Sequence, residues 1–225
     1  MLSVLDIFRI GIGPSSSHTV GPIRIAKRFM DRLERDGRLG AVESLRVELQ
    51  GSLALTGVGH ATPKAVILGL MGLEPETLDP NSADAQVARI YADKTLALSD
   101  GRRIKFDPET DIVFDFDADC SLHPNGMKLL AYDGGGELLW QRTWYSTGGG
   151  FIASEEQLQK PVEDDIISGE NVDFPYDFGS AEELLSHCAQ TGQQIHEIIY
   201  ANEDAVRPRK DTNVQLDRIT DVMMA

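Results

Sequence analysis

Gly11-Ile-Gly-Pro-Ser-Ser-Ser-His-Thr19 sets the reading of this chain. Small residues lead into three consecutive hydroxyls and a histidine. An amphipathic helical pattern follows at once, with Val20, Ile23, Ala26, Met30 and Leu33 recurring on one face. The loop therefore arrives at a helix N-terminus, where unpaired N–H groups and the helix dipole attract an anion. Ser16 or Ser17 is the expected N-cap. One cap uses one hydroxyl, and the others remain to grip a carboxylate or a phosphate.

Outward from this loop, strands and helices mix. Leu45, Val47 and Leu49 alternate as a half-buried strand should, as do Ile112, Phe114 and Phe116, and Met127, Leu129 and Ala131. Asp133-Gly-Gly-Gly136 turns the last of these into a hairpin partner over Leu138–Tyr145. Between the first two strands the sequence predicts a helix from Thr62, with Thr62 as N-cap and Pro63 as first residue, and another near Ser82–Lys94. The expected fold is α/β (α+β), a mixed sheet with flanking helices over residues 1–154. Residues 155–179 are acidic, contain Pro161, Gly169 and Pro175, and read as a linker. Residues 180–225 read as wholly helical. Ser180 with Glu183 makes a capping box, Gly192 stops the first helix, a second spans Gln193–Val206, and a third begins near Asp211. That third helix reaches Ala225 with its apolar stripe still running, so the chain is expected to be a piece of a longer protein.

Composition bounds the function. Thirty-six acidic against 21 basic residues give a net charge of −15, which argues against nucleic acid and anionic membranes as partners. No apolar run reaches the roughly 18–20 residues that span a bilayer. No basic segment precedes an apolar one at the N-terminus. Two cysteines, Cys120 and Cys188, make no disulfide framework, and the cytoplasm is the expected compartment.

Three of the five histidines sit in loops at the ends of regular elements, where binding residues collect. His18 is in the serine loop, His60 precedes the helix at Thr62, and His123 lies in the turn Asp119-Cys-Ser-Leu-His-Pro-Asn-Gly126. Together with Ser15, Ser16 and Ser17 they suggest a site for a small anionic substrate with a proton-transfer group. His60, between glycines and a helix start, is the favoured base. His187 and His196 fall within predicted helices and read as structural. Tyr145-Ser-Thr-Gly-Gly-Gly-Phe-Ile152 reads equally as a ligand loop or an interdomain hinge. Asp115, Asp117 and Asp119 lack the glycine and terminal glutamate of a calcium loop and read as solvated acids.

Phe8-Arg-Ile-Gly-Ile-Gly-Pro-Ser-Ser-Ser-His-Thr-Val-Gly-Pro22 resembles the opening signature of the bacterial iron–sulfur L-serine dehydratases. Gly51-Ser-Leu-Ala-Leu-Thr-Gly-Val-Gly-His60, Leu122-His-Pro-Asn-Gly-Met127 and Tyr145-Ser-Thr-Gly-Gly-Gly150 agree in order and spacing, and Ile198-Ile-Tyr-Ala-Asn-Glu203 resembles the start of that family's catalytic domain. One block departs: Gly59-His-Ala-Thr-Pro63 stands where the family usually reads Gly-His-Gly-Thr-Asp.

The resemblance implies a cytoplasmic lyase that converts L-serine to pyruvate and ammonia with a 4Fe-4S cluster instead of pyridoxal phosphate. A cluster iron would act as Lewis acid on the serine hydroxyl while a base removes the α-proton. It implies that Ser15, Ser16, Ser17 and Thr19 bind the substrate carboxylate and that Thr62 and Asn125 add contacts. His18, His60 and His123 would transfer protons or orient. It also implies that the cluster ligands lie in a later catalytic domain, with no metal ligand in this chain and this piece alone inactive. The expected partners are L-serine, that catalytic domain and a second copy in a homodimer. The rival from another class is a non-catalytic, serine-binding regulatory module using the same anion loop.

Overall fold

Along β1 (Ser44–Gln50), Leu45, Val47 and Leu49 are buried while Ser44 and Arg46 face solvent, the alternation of a strand with one covered face. The computed structural model describes residues 3–8, 10–159 and 172–224. In it β1 pairs parallel with β4 (Ile112–Asp115) and antiparallel with β5 (Gly126–Tyr132). β6 (Leu138–Gly148) and β7 (Phe151–Ser154) continue the sheet antiparallel, giving the order β4-β1-β5-β6-β7. The mixed sheet expected from the alternation is present. Its register carries an apolar row across four strands, Phe114–Leu49–Met127–Trp144. On the opposite face Glu48 meets Arg46 and Lys128.

The parallel pairing needs a crossover, and the chain supplies it through α3 (Ser52–Thr56), α4 (Thr62–Leu70), α5 (Pro80–Asp93), a ribbon of β2 (Thr95–Ala97) with β3 (Arg103–Lys105), and α6 (Pro108–Asp111). Ahead of β1 runs α2 (Gly21–Arg35), whose Ile23, Ile25, Ala26, Phe29, Met30 and Leu33 are all buried. Phe29 stacks on Trp140 at 4.7 Å and meets Trp144 edge-on, so the helix sits on β6. α4 is buried from Ala65 to Leu70 without a polar face, as a helix covered on several sides must be. It crosses α2 closely: a Cβ added at Gly69 would lie 2.3 Å from the Ile23 carbonyl oxygen and 2.7 Å from Ala26 Cβ.

Three local expectations are corrected. The first helix is capped by Ser15, whose Oγ accepts from the His18 amide, instead of by Ser16 or Ser17, because one turn of π-helix (Ser16–Val20) precedes α2. Ser15 C=O accepts from both the Thr19 and Val20 amides there. Thr62 opens α4 but caps nothing. The flanking Ala61 is left-handed (φ 55°, ψ 30°), and the Thr62 hydroxyl turns elsewhere. Tyr145–Ile152 is no interdomain hinge: residues 145–148 finish β6 and the glycines after it turn the chain into β7.

Gly11–Pro161 forms one compact unit, and the described parts of Met1–Ile10 and Val162–Ala225 form another. The described residues of Met1–Ile10 therefore group with the C-terminal helices. The reason is α1 (Val4–Ile7) and Ser3. Ser3 Oγ and the Val4 amide donate to the carboxylate of Glu203, which is buried and paired with Arg207. The helices are α8 (Ala181–Thr191), α9 (Ile195–Val206) and α10 (Arg209–Met224). Ser180 caps α8 at Glu183, and Gly192 ends it with φ 72°. The expected linker is ordered at both described ends. Glu155–Gln159 is a short helix, α7, and the Tyr176 peptide is held by the buried Asn202 amide at 2.9 and 2.6 Å. The middle of that linker, residues 160–171, lies outside the described residues.

Gly69→Ala is expected to lower the unfolding free energy by roughly 1–3 kcal/mol, because backbone must move to admit the methyl. Gly40→Ala, whose Cβ meets nothing within 4 Å, should stay within about 0.5 kcal/mol of wild type. Equal urea midpoints for the two variants would remove the close helix crossing as the cause. Ala61→Gly should raise stability by roughly 0.5–1 kcal/mol, since glycine relieves the left-handed backbone and returns part of that gain as chain entropy. A lowered midpoint would show that Ala61 is unstrained.

Candidate functional site

The C-terminal ends of the parallel pair β1 and β4, the start of β5 and the end of β6 lie at one edge of the sheet. Open α/β sheets commonly bind ligands outside such strand ends. Gly51 follows β1 directly and turns with φ 55°. A Cβ there would lie 2.3 Å from the Pro124 carbonyl oxygen and 2.6 Å from Cys120 Sγ, so the 120–124 loop packs straight against it. Ser52 opens α3 and its amide donates to Pro124 C=O at 2.7 Å.

The two loops that precede α2 and α4 are braced reciprocally. Thr19 Oγ1 donates to His60 C=O at 2.9 Å, and Thr62 Oγ1 donates to His18 C=O at 2.7 Å. Both threonines are buried. Thr19 and Thr62, expected to bind substrate, here give their hydroxyl protons to main-chain carbonyls, where they set the spacing of the histidines.

The brace brings the His18 and His60 rings within 4.8 Å. His18 Nδ1 lies 2.9 Å from Ser17 Oγ and its Nε2 lies 3.0 Å from Ser52 Oγ. Partial burial and, next, the neighbouring His60 hold the His18 pKa below its ordinary value, so the ring stays neutral at neutral pH. His60 Nδ1 lies 2.9 Å from Thr56 C=O. A carbonyl only accepts, so the neutral ring carries its proton on Nδ1 and keeps the Nε2 lone pair.

His123 is fixed the opposite way. Its Nδ1 accepts from the Asn125 amide at 3.1 Å, so in the neutral ring the proton is on Nε2. Burial lowers its pKa as well. Asn125 Nδ2 donates to Ser146 C=O and the Ser146 amide returns a bond to Asn125 C=O, which ties the His123 turn to the end of β6. Tyr145 lies edge-on to His123 at 6.3 Å.

Ser15, Ser16 and Ser17 divide their tasks. Ser15 caps, Ser17 meets His18 and Ser16 is exposed, its carbonyl accepting from the Gly21 amide and its hydroxyl having no partner among the described residues. Ser52 was missed by sequence reasoning, although it stands second in the block that ends at His60. Nothing in its spacing separates it from an ordinary helix-start serine. His187 instead bonds Asp177 C=O beside Tyr176, in the helical unit. Asp115 and Asp119 accept from the amides two residues on, as turn carboxylates do.

Residues 3–157 match the family model described as serine dehydratase beta chain. The chain is 42% identical over 224 residues to the L-serine dehydratase of Streptomyces coelicolor, covering all of itself and 48% of that protein. It is 38% identical over 226 residues to L-serine dehydratase 1 of Escherichia coli K12, with the same coverage. Against L-serine dehydratase TdcG of that organism the identity is 42% over 226 residues, covering 99% of this chain and 48% of the relative. The chain thus spans about half the length of these relatives. By the family model and by full-length similarity, it belongs to the serine dehydratase beta chain family.

Proposed function

We propose that this chain is the substrate-side part of an L-serine dehydratase, a lyase that converts L-serine to pyruvate and ammonia. The observation that carries the reading is the pair of oppositely fixed histidines: His60 with a bare Nε2 and His123 with a protonated one, at the same sheet edge as a serine-rich loop. A serine-binding regulatory module would need the loop but neither fixed tautomer.

In this reading Ser16 and the first-turn amides receive the substrate carboxylate. His60 Nε2 takes the α-proton, and His123 Nε2–H donates toward the departing β-hydroxyl, which leaves as water. The enamine that remains tautomerises and is hydrolysed to pyruvate and ammonia. His18, hydrogen-bonded at both nitrogens, orients His60 and is not the base.

The described residues do not fit a 4Fe-4S cluster. A cluster with one open iron takes three thiolates. The chain has two cysteines, both free and in different compact units. No group of three potential metal ligands occurs among the described residues. The cluster that the resemblance implies is assigned to residues outside this chain, and no step above runs through it. Free thiols agree with the cytoplasm as the proposed compartment. No described helix is long and apolar enough to cross a membrane.

In the active enzyme, Ser16→Ala should raise KM for L-serine by roughly ten- to a hundredfold, the range of one charge-assisted hydrogen bond. His60→Ala should lower kcat by at least about a hundredfold. A larger kcat loss in His18→Ala or His123→Ala would transfer the base to that residue. Anaerobic reconstitution of residues 1–225 with iron and sulfide should give neither the visible absorbance of a stoichiometric cluster nor pyruvate from L-serine. Either signal would place the whole chemistry within this chain.

A further inference from the structure

Ser52 ends a run of hydrogen-bonded side chains, Ser15–Ser17–His18–Ser52, and its hydroxyl has no second hydrogen-bond partner among the described residues. One consistent set of bond directions runs from Ser15 to Ser52. The His18 amide must donate, so Ser15 Oγ accepts it at 3.2 Å. The other contact of Ser15 Oγ is Ser17 Oγ at 3.4 Å, where either hydroxyl can donate, and in this set Ser15 does. Ser17 then donates to His18 Nδ1 at 2.9 Å. A neutral imidazole that accepts at Nδ1 carries its proton on Nε2, and that proton goes to Ser52 Oγ at 3.0 Å. In this set every hydroxyl and ring proton of the chain Ser15–Ser17–His18 is used internally. The Ser52 proton is then left for a further acceptor, on a residue whose amide is anchored to Pro124 C=O beside His123. Each acceptor in such a chain becomes a better donor at its next link.

We propose that Ser52 is a substrate-binding residue, the terminal donor of the chain Ser15→Ser17→His18→Ser52, presenting its hydroxyl proton to the carboxylate of the bound amino acid. This rests on the L-serine dehydratase reading for the identity of the anion, but the direction of the chain does not. The neutral state of His18 suits the role, because a charged ring would donate at both nitrogens and reverse the Ser17 link. Ser17 is accordingly a positioning residue that acts through His18.

Two measurements separate the proposal from the reading beneath it. Long-range 1H–15N spectra of the histidine rings in the 225-residue chain should show His18 as the Nε2–H tautomer near neutral pH. Ser52→Ala should shift the His18 Nε2 resonance, and Ser52→Thr should restore it. An Nδ1–H tautomer reverses the chain, makes Ser17 the terminal hydroxyl and overturns the proposal without touching the dehydratase reading. In the active enzyme, Ser52→Ala should raise KM for L-serine by roughly tenfold or more with kcat within a few-fold, and Ser52→Thr should recover most of it. A loss confined to kcat would make Ser52 a holder of His18 only and also overturn the proposal. A wild-type enzyme inert toward L-serine would overturn the dehydratase reading and the substrate named here together.

Discussion

The reciprocal brace between Thr19 and His60 and between Thr62 and His18 is the constraint on which the site depends. Each threonine follows a histidine by one or two positions, and each hydroxyl reaches the carbonyl of the other loop's histidine. Two loops joined in this crossed fashion cannot slide apart without leaving two buried hydroxyls unpaired, at about 1–3 kcal/mol each. The brace has a foundation in the close approach of α2 and α4 at Gly69, which keeps the helices below it at one separation. Helix packing thereby sets the distance between two imidazole rings.

A second constraint arrives from the sheet. The turn of Gly51 onto Pro124 fixes Ser52 beside the His123 loop, and Asn125 fastens that loop to the end of β6. His18 and His60, beside the starts of α2 and α4, and His123, beside the sheet, are therefore placed by separate parts of the core, with Ser52 bonded to His18 through its hydroxyl and to Pro124 through its amide. Backbone groups, which have fixed donor or acceptor character, decide the tautomers of His60 and His123. The proton inventory of the site is in this sense written in the main chain.

Much of this was legible in the sequence, for identifiable reasons. Period-two alternation at Leu45–Leu49 and Met127–Ala131 located the strands, and the glycine turn at 133–136 located the hairpin, because both signals are local. The serine loop and three histidines were found because hydroxyls and imidazoles at element ends have few structural uses. The tasks of Thr19 and Thr62 were not legible, since a threonine at a helix start looks alike whether it caps or reaches across to another loop. The π-turn that moves the cap to Ser15 has no sequence period of its own. The grouping of Ser3 with Glu203 joins residues 200 positions apart, beyond any local pattern.

That last contact has a consequence in time. Glu203 is the buried acceptor for Ser3 and the Val4 amide, so the first described residues cannot reach their place until the chain has been made past position 203. At synthesis rates of about 5–20 residues per second, Ser3 waits roughly 10–40 seconds for its partner. The sheet unit, contiguous from Gly11 to Pro161, has everything it needs well before then. On the ribosome the sheet unit folds first, and Ser3 and Val4, made before it, settle after it.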